Sequence, residues 1–389
     1  MREAVIVSAA RTPVGRVRGV LAPVPAHELG ALVIKEAVAR AKIDPGEVED
    51  VIFGNLFANE TANMARMALL TAGLPVHVPG ITVDRQCSSS LNAIALAAAL
   101  IQSGYADVLV AGGTESDSRR VYIMEKPTNA YQVSPPRFLN VKLAPDDIGD
   151  PPMVITAENM AVKYNLTRQE CDEFALRSHQ RATKAWEAGR FDDQVVPVSV
   201  PQGKGAPIIV NKDETFRPDT SMQVLSKLPP AMKKDGIVTA GNSSPMSDGA
   251  GAVVIMEKCQ AMNRGLEPLA TFRGYATVGV DPNIMGIGPV PATRRLFERV
   301  RLRLEDVDLY EVNEAFAAQI IPCIRELNLD EEKLNVNGGA IALGHPLGGT
   351  GAILTTKLVY EMKRRNLRYG LISFCCGGGQ GFSALFERG

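Results

Sequence analysis

Excess charge of either sign is missing from this sequence: 43 acidic residues stand against 42 basic ones, a formal net charge of −1. No block of lysine and arginine stands out as a footprint for a phosphate backbone, which argues against a nucleic-acid partner. Long apolar runs are missing too. The longest, Leu91 to Ile101, is interrupted by Asn92 and falls well short of the roughly 20 apolar residues that span a bilayer, so it reads as a buried helix and no membrane is expected as a partner. The opening stretch to Ala10 is a short apolar run followed at once by Arg11, Thr12 and Pro13, the pattern of a first strand and not of an export signal. Repeated CxxC spacing is absent as well. Cys87, Cys171, Cys259, Cys323, Cys375 and Cys376 are scattered in a way that fits reduced thiols in the cytoplasm better than a disulfide frame or a zinc site.

What is present is the balance of a globular α/β enzyme: 46% hydrophobic and 22% charged residues, with 35 Gly and 25 Pro, over 389 residues that suit two or three packed units. Residues 2–9, 48–54 and 106–113 read as strands, the last a continuous apolar run ending in glycines, and residues 27–41 as an amphipathic helix. Gln86-Cys87-Ser88-Ser89-Ser90 runs into an alanine-rich helix from about 91 to 103. The Cys87 thiol is thus expected beside a helix N-terminus, with a lowered pKa. From about 118 to 246 the texture changes to proline, aspartate and lysine with charged helices such as Arg168 to Gly189, which reads as an inserted, partly irregular domain. Strands resume at 252–256 and 269–278.

The last third echoes the first. Glu47 to Asn55 resembles Glu305 to Asn313, and the same shift of 258 residues carries Cys87 onto His345. Each of these two residues precedes an apolar helix, and each helix is followed by a strand ending in glycines. Internal duplication accounts for this, and two copies packed about a pseudo-twofold axis would bring both helix N-termini to one central site.

Within that frame four positions can do chemistry. Cys87 stands among small hydroxyl residues that leave room for an acyl thioester, although a lone cysteine is commonly just a small buried hydrophobe. His345 is the only one of four histidines inside a glycine-rich turn before a helix, and so many glycines imply close backbone approach to a ligand. Cys375-Cys376-Gly377-Gly378-Gly379 places two thiols before a turn whose amides can hold an oxyanion or a phosphate. Asn313 follows an acidic strand, where its amide can orient a water or merely cap the next helix.

Together Arg85-Gln86-Cys87-Ser88-Ser89, Asn313-Glu314-Ala315-Phe316, Gly344-His345-Pro346 and Cys375-Cys376-Gly377-Gly378-Gly379, in this order, resemble the thiolases, and the resemblance covers essentially the whole chain. It implies an α/β fold of two duplicated βαβαβαββ halves in an α/β/α/β/α layering, with a loop domain inserted in the first. The expected boundaries are 1–117 with 247–267 for the N-terminal half, 118–246 for the loop domain and 268–389 for the C-terminal half. It implies reversible thiolytic cleavage of 3-ketoacyl-CoA, or condensation of acetyl-CoA. Cys87 would take the acyl group, His345 would activate it, and Cys375 would exchange the proton at carbon. The enolate oxygen would meet His345 and a water held by Asn313, and the amides of Cys87 and Gly377 would form a second oxyanion hole.

The resemblance further implies coenzyme A as a substrate with no tightly bound cofactor, contacts to it from Met153, Arg217, Ala240, Ser244 and Phe316, and assembly as a homodimer or homotetramer. Cys376 falls on a variable position. Three residues depart from the family pattern: Pro152 where several acetoacetyl-CoA-specific members have histidine, Ser90 where glycine is usual, and Pro245 where a small residue is common. Chain length and direction are therefore open. A condensing enzyme of the ketoacyl synthase type and a non-catalytic CoA-binding subunit are the competing readings, and the Cys375 motif and the intact set of four residues weigh against them.

Overall fold

The computed structural model describes residues 2–57, 60–127, 129, 131 and 135–389. The first half of the chain lays down β1 (Ala4–Arg11), the two-residue β2 (Gly15–Arg16), α1 (Ala26–Ala41), β3 (Asp50–Gly54), α2 (Met64–Thr71), β4 (Gly80–Val83), α3 (Ser89–Ser103) and β5 (Val108–Ser116). In α1 the apolar residues Leu29, Val33, Ile34, Ala37, Val38 and Ala41 recur at helical spacing on the buried face, and Lys42 ends the helix in the left-handed region. α3 is buried on nearly every side and ends at Gly104, also left-handed, as suits an alanine-rich helix enclosed by other layers.

Between Asp117 and Met246 no strand among the described residues joins the main sheet, which this stretch touches through a single bridge of Val195 with Arg11. This stretch holds α4 (Met153–Lys163), α5 (Arg168–Glu187), the small hairpin of β6 (Val198–Val200) and β7 (Ile208–Val210), and α6 (Met222–Leu225). α5 opens with a capping box in which the Thr167 side chain and Glu170 each serve the other's backbone amide. The chain then returns through β8 (Ser247–Glu257), fully buried over eleven residues, and α7 (Lys258–Asn263). The last third adds β9 (Ala270–Gly279), α8 (Pro289–Val300), β10 (Leu309–Val312), α9 (Ala317–Leu327), α10 (Ala340–Leu343), α11 (Thr350–Arg365), β11 (Tyr369–Cys376) and β12 (Gln380–Glu387).

The duplication is written in the strand order. The main sheet runs β10-β11-β12-β9-β1-β8-β5-β3-β4, and its centre is a short antiparallel contact of Val5 with Thr271 and Ile6 with Ala270. Moving outward from that contact, β1, β8, β5, β3 and β4 pair antiparallel, antiparallel, parallel and parallel. On the other side β9, β12, β11 and β10 repeat the sequence, with Leu334 pairing parallel to Tyr310 in the outermost place. The two halves are therefore joined at one edge into a single ten-stranded sheet.

Side-chain alternation along the strands produces the layers. In β5, Val108 and Val110 belong to the cluster under α1 and α2, whereas Leu109 and Ala111 face the cluster of α3. In β11, Leu371 and Cys375 face the α8 and α9 side, whereas Ile372, Phe374 and Cys376 share the α3 cluster with Leu354 and Leu358 of α11. Helices α3 and α11 thus form a central layer, with sheet and then helices outward on both sides. Their N-termini meet because glycines leave no side chain between them: a methyl on Gly113 would come 2.0 Å from the Gly348 carbonyl oxygen, and one on Gly351 would come 2.3 Å from the Leu91 amide nitrogen. Ser90 Oγ, in the first turn of α3, accepts the amide of Ala352 in α11 at 3.0 Å.

Candidate active site

Cys87 sits at the corner between β4 and α3. Gln86 turns the chain with φ of +48°, a left-handed value that a non-glycine residue adopts only when its neighbours hold it there. Here Asp84 Oδ1 accepts the Gln86 amide at 2.7 Å, and the Gln86 carbonyl accepts the Ser89 amide at 2.9 Å. Ser88 caps α3, so the thiol lies one residue outside the helix. Its sulfur is approached by the amide of Gly377, at the turn from β11 into β12. Gly378 and Gly379 take φ of +76° and +80° in that turn, which explains the glycine run.

The lowered thiol pKa expected for Cys87 is not what the structure has. Burial pushes the Cys87 thiol up to about 11, and the Gly377 amide offsets this only in part. A helix terminus contributes a fraction of a charge, whereas removal from water penalises the whole thiolate. Cys375 and Cys376 are fully buried and their thiols are raised for the same first reason, with the Cys87 charge adding to the rise in both. The three sulfurs therefore lie within electrostatic reach of one another. Cys376, on the opposite face of β11 from Cys375, donates to Ser88 Oγ at 3.1 Å.

His345 is buried, and burial lowers its imidazole to about 3, so the ring is neutral. Its Nδ1 is 2.7 Å from Thr350 Oγ1, its Nε2 is 3.2 Å from Asn313 Nδ2, and its backbone amide donates to Ser247 Oγ at 3.1 Å. The Thr350 hydroxyl already donates to the Pro346 carbonyl at 2.7 Å, so it must accept from Nδ1–H, which leaves Nε2 as the bare nitrogen. Asn313 Oδ1 is buried with no hydrogen-bond partner among the described residues, an acceptor left open for a water or a substrate proton. The groups singled out by the sequence are thus a neutral thiol, a neutral imidazole with Nε2 unprotonated, and a buried amide oxygen open to a donor.

Residues outside the expected set hold this arrangement. Glu314, beside Asn313 in sequence, accepts from Ser178 Oγ at 2.6 Å, Asn335 Nδ2 at 2.8 Å and the Ile341 amide at 3.2 Å, and so fixes the segment leading to His345. Glu115 accepts from Asn55 Nδ2 and the amides of Leu56, Phe57 and Gly348, tying the His345 turn to the other half. Glu314 stood in the motif of Asn313, whereas Glu115 follows the glycines that end the 106–113 strand and was not singled out. Thr350 lay in the same glycine-rich run as His345. Leu143, whose side chain reaches Gly377, carried no sequence signal.

Of the five residues expected to touch coenzyme A, Ser244 and Phe316 are brought together: the Ser244 amide donates to Ala315 O at 2.9 Å and Ser243 pairs with Phe316. Met153 opens α4 and packs on the cluster that contains Phe316 and Cys375. Ala240 is exposed in the loop before Asn242, whose carbonyl accepts the Ala317 amide at 2.9 Å. Arg217 is exposed on another loop, its amide donating to His179 Nδ1 of α5 at 3.1 Å.

Comparison with known proteins agrees with this geometry along the whole chain. Residues 4–259 match the thiolase N-terminal domain and residues 266–388 the thiolase C-terminal domain. The chain is 45% identical to an acetyl-CoA acetyltransferase of Cupriavidus necator and 47% identical to a 3-ketoacyl-CoA thiolase of Bacillus subtilis, in each case over 100% of both chains. Among solved structures, the Bacillus anthracis acetyl-CoA acetyltransferase superposes with a TM-score of 0.93 at 44% identity, covering 100% of this chain and 99% of that one. Human mitochondrial 3-ketoacyl-CoA thiolase in complex with CoA superposes with a TM-score of 0.94 at 41% identity, covering 100% and 98%. Matched domain by domain over residues 4–259 and 266–388, and along its whole length by relatives at 45% and 47% identity, this chain is a member of the thiolase family.

Proposed function

We propose that the chain catalyses reversible, CoA-dependent cleavage of 3-ketoacyl-CoA through an acyl thioester on Cys87. The observation that carries this is the meeting of the Cys87 sulfur with the Gly377 amide, beside Cys375. In the cleavage direction His345 Nε2 takes the Cys87 proton and the thiolate attacks the 3-keto carbon. The bond between C2 and C3 then breaks, and its electron pair leaves as the enolate of acetyl-CoA, which the Cys375 thiol protonates. The Cys375 thiolate then takes the proton of the incoming CoA thiol, CoA thiolate attacks the acyl carbon, and the departing Cys87 thiolate recovers its proton from His345. An enolate oxygen is served by His345 and a water on Asn313, and a tetrahedral oxyanion by the amides of Cys87 and Gly377. Condensation of acetyl-CoA is the reverse. A thioester exchanged for a thioester costs little free energy, so the transfer runs either way.

Coenzyme A enters as a substrate against residues 118–246, with Met153, Ala240, Ser244 and Phe316 along the pantetheine and Arg217 toward the nucleotide. The flanking units are 1–117 with 247–267 and 268–389. Assembly as a homodimer or homotetramer is supported by β4, an outermost strand with Ile81 exposed, next to the exposed Met67 and Leu70 of α2. Free thiols at all six cysteines are in keeping with the cytoplasm. No helix among the described residues is long and apolar enough to cross a membrane.

The test is cleavage of acetoacetyl-CoA and of a longer 3-ketoacyl-CoA by the purified protein, with mass spectrometry of the trapped enzyme. Cleavage with the acyl mass on Cys87, lost in Cys87→Ser, is expected. Cys375→Ser should still take up an acyl group while failing in carbon–carbon chemistry. Full turnover by either variant would sink the mechanism.

A further inference from the structure

Four arginines converge on a cavity of about 220 Å³ that the reaction at Cys87 does not use. Arg181 comes from α5, Arg190 from the turn after it, and Arg364 and Arg365 from the last turn of α11. Glu332 and Val336, on the loop from α9 to α10, complete the lining, so Val336 is its one apolar residue. α11 starts at Thr350, whose hydroxyl meets His345, and runs 16 residues to Arg365, so about 22 Å of helix separates the cavity from the imidazole.

Basic residues in the last turn of a helix are ordinary, since they offset the negative end of its dipole. What sets these four apart is how little anion faces them. Arg364 pairs with Glu361, whose Oε2 accepts from Arg364 Nε at 3.1 Å and from Asn337 Nδ2 at 2.9 Å. Arg181 donates to the carbonyls of Leu334 at 2.6 Å and Glu331 at 2.9 Å, which hold its charge in place without neutralising it. Glu332 stands 3.6 Å from Arg181 on a side chain that is 90% exposed. Burial, and then the neighbouring Arg177, lower the Arg181 pKa, as befits a place short of negative charge. Arg190 donates from Nη1 to Asn337 Oδ1 at 2.8 Å, and its Nε and Nη2 have no acceptor among the described residues. Arg365 makes no hydrogen bond among the described residues; its carboxylate contact is Glu361 at 3.8 Å.

Guanidinium groups present paired N–H donors that match the oxygens of phosphate. Arg181, Arg190 and Arg364 are each fixed by protein acceptors, so little ordering is needed when an anion arrives. An acyl or aromatic ligand would find only Val336 to pack on. The room is below that of a drug-sized pocket and suits a phosphate or diphosphate group, with the rest of any larger ligand outside.

We propose that this arginine cavity is a binding site for a diphosphate-type polyanion, free or carried at the end of a larger ligand, remote from the Cys87 site.

The experiment is isothermal titration of the full-length protein with inorganic phosphate, pyrophosphate and uridine diphosphate. The proteins are the wild type, Arg365→Gln, the pair Arg190→Gln with Arg365→Gln, and a control pair, Lys35→Gln with Lys204→Gln, that removes the same charge from α1 and from the β6–β7 hairpin. Pyrophosphate should bind the wild type at one site, more tightly than phosphate. Arg365→Gln, which breaks no hydrogen bond within the protein, should weaken pyrophosphate on the order of tenfold, and the arginine pair on the order of a hundredfold. The lysine pair should stay within about twofold of wild type, because exposed distant charges are screened. Uridine diphosphate weakened in parallel by the same arginine variants would identify a nucleotide's diphosphate as a source, and pyrophosphate binding without it would identify the free anion. Absence of pyrophosphate binding to the wild type, or equal weakening by the arginine and lysine pairs, overturns the site. Arg365→Gln alone keeps the test decisive if the arginine pair fails to fold.

Discussion

His345 Nδ1 lies 2.7 Å from Thr350 Oγ1, and that hydroxyl is already committed as a donor to the Pro346 carbonyl. The tautomer of the ring is therefore dictated from the far side of the site, and Nε2 is left bare beside Asn313.

Thr350→Val keeps the shape of the side chain and removes the acceptor for Nδ1–H. Turnover should fall on the order of tenfold to a hundredfold, the usual cost of losing a group that orients a reacting imidazole. Thr350→Ser should restore most of it. Steady-state kinetics at matched folding yield decides the point, and equal rates for the serine and valine variants would show that the ring needs no orienting hydroxyl.

Cys87 loses its proton in the free protein only as pH climbs toward about 11. The thiolate fraction is thus small at neutrality and grows about tenfold per pH unit below that value. Alkylation of Cys87 by iodoacetamide, read by mass spectrometry of the modified peptide, should keep accelerating from pH 7 to pH 9. A rate that levels off near pH 7 would mean that the sulfur rests as a thiolate.

Lys357 and Glu311 form an ion pair of 2.9 Å with both side chains 1% exposed, and Lys357 Nζ also donates to the Gly338 carbonyl at 2.8 Å. Removing one partner leaves the other charge in the interior. Lys357→Met is expected to cost roughly 3–5 kcal/mol, and Lys357→Met with Glu311→Leu to recover much of that loss. Denaturant unfolding of the single and double variants measures both, and a single variant as stable as the wild type would contradict the pairing.

Ser90 Oγ accepts the Ala352 amide across the junction of the two halves. Ser90→Ala or Ser90→Gly takes from the Ala352 amide one of its two acceptors, the other being the Gly349 carbonyl at 3.1 Å, at a cost of about 0.5–1.5 kcal/mol. A lower unfolding temperature for both variants is expected, with Ser90→Thr closer to wild type than either. Unchanged unfolding in Ser90→Gly would show that the hydroxyl holds nothing.

Much of the fold was legible in advance because periodicity and repetition are local properties of a chain. The spacing of Leu29, Val33 and Ile34 announced α1, and the echo of Glu47 to Asn55 in Glu305 to Asn313 announced β3 and β10 as counterparts. The short β4 and α2, which carry no long apolar run, were not read from the sequence, nor was the contact of β1 with β9 that makes one sheet of two. Cys87, Asn313, His345 and Cys375 stood out because each sits in a short motif and the four motifs occur here in a recognisable order.

The amino-acid sequence by itself thus determined the two-half architecture and singled out the candidate reacting groups. Only the tertiary structure decided their states and their surroundings. The thiol of Cys87 is raised and not lowered, because desolvation sums over every atom packed around the sulfur, whereas the helix that the sequence revealed is one weak contribution. The His345 tautomer, the Ser90 bond to α11 and the seat of Leu143 on Gly377 have the same origin. Each depends on contact geometry that no local pattern encodes, and the last two join residues more than two hundred positions apart.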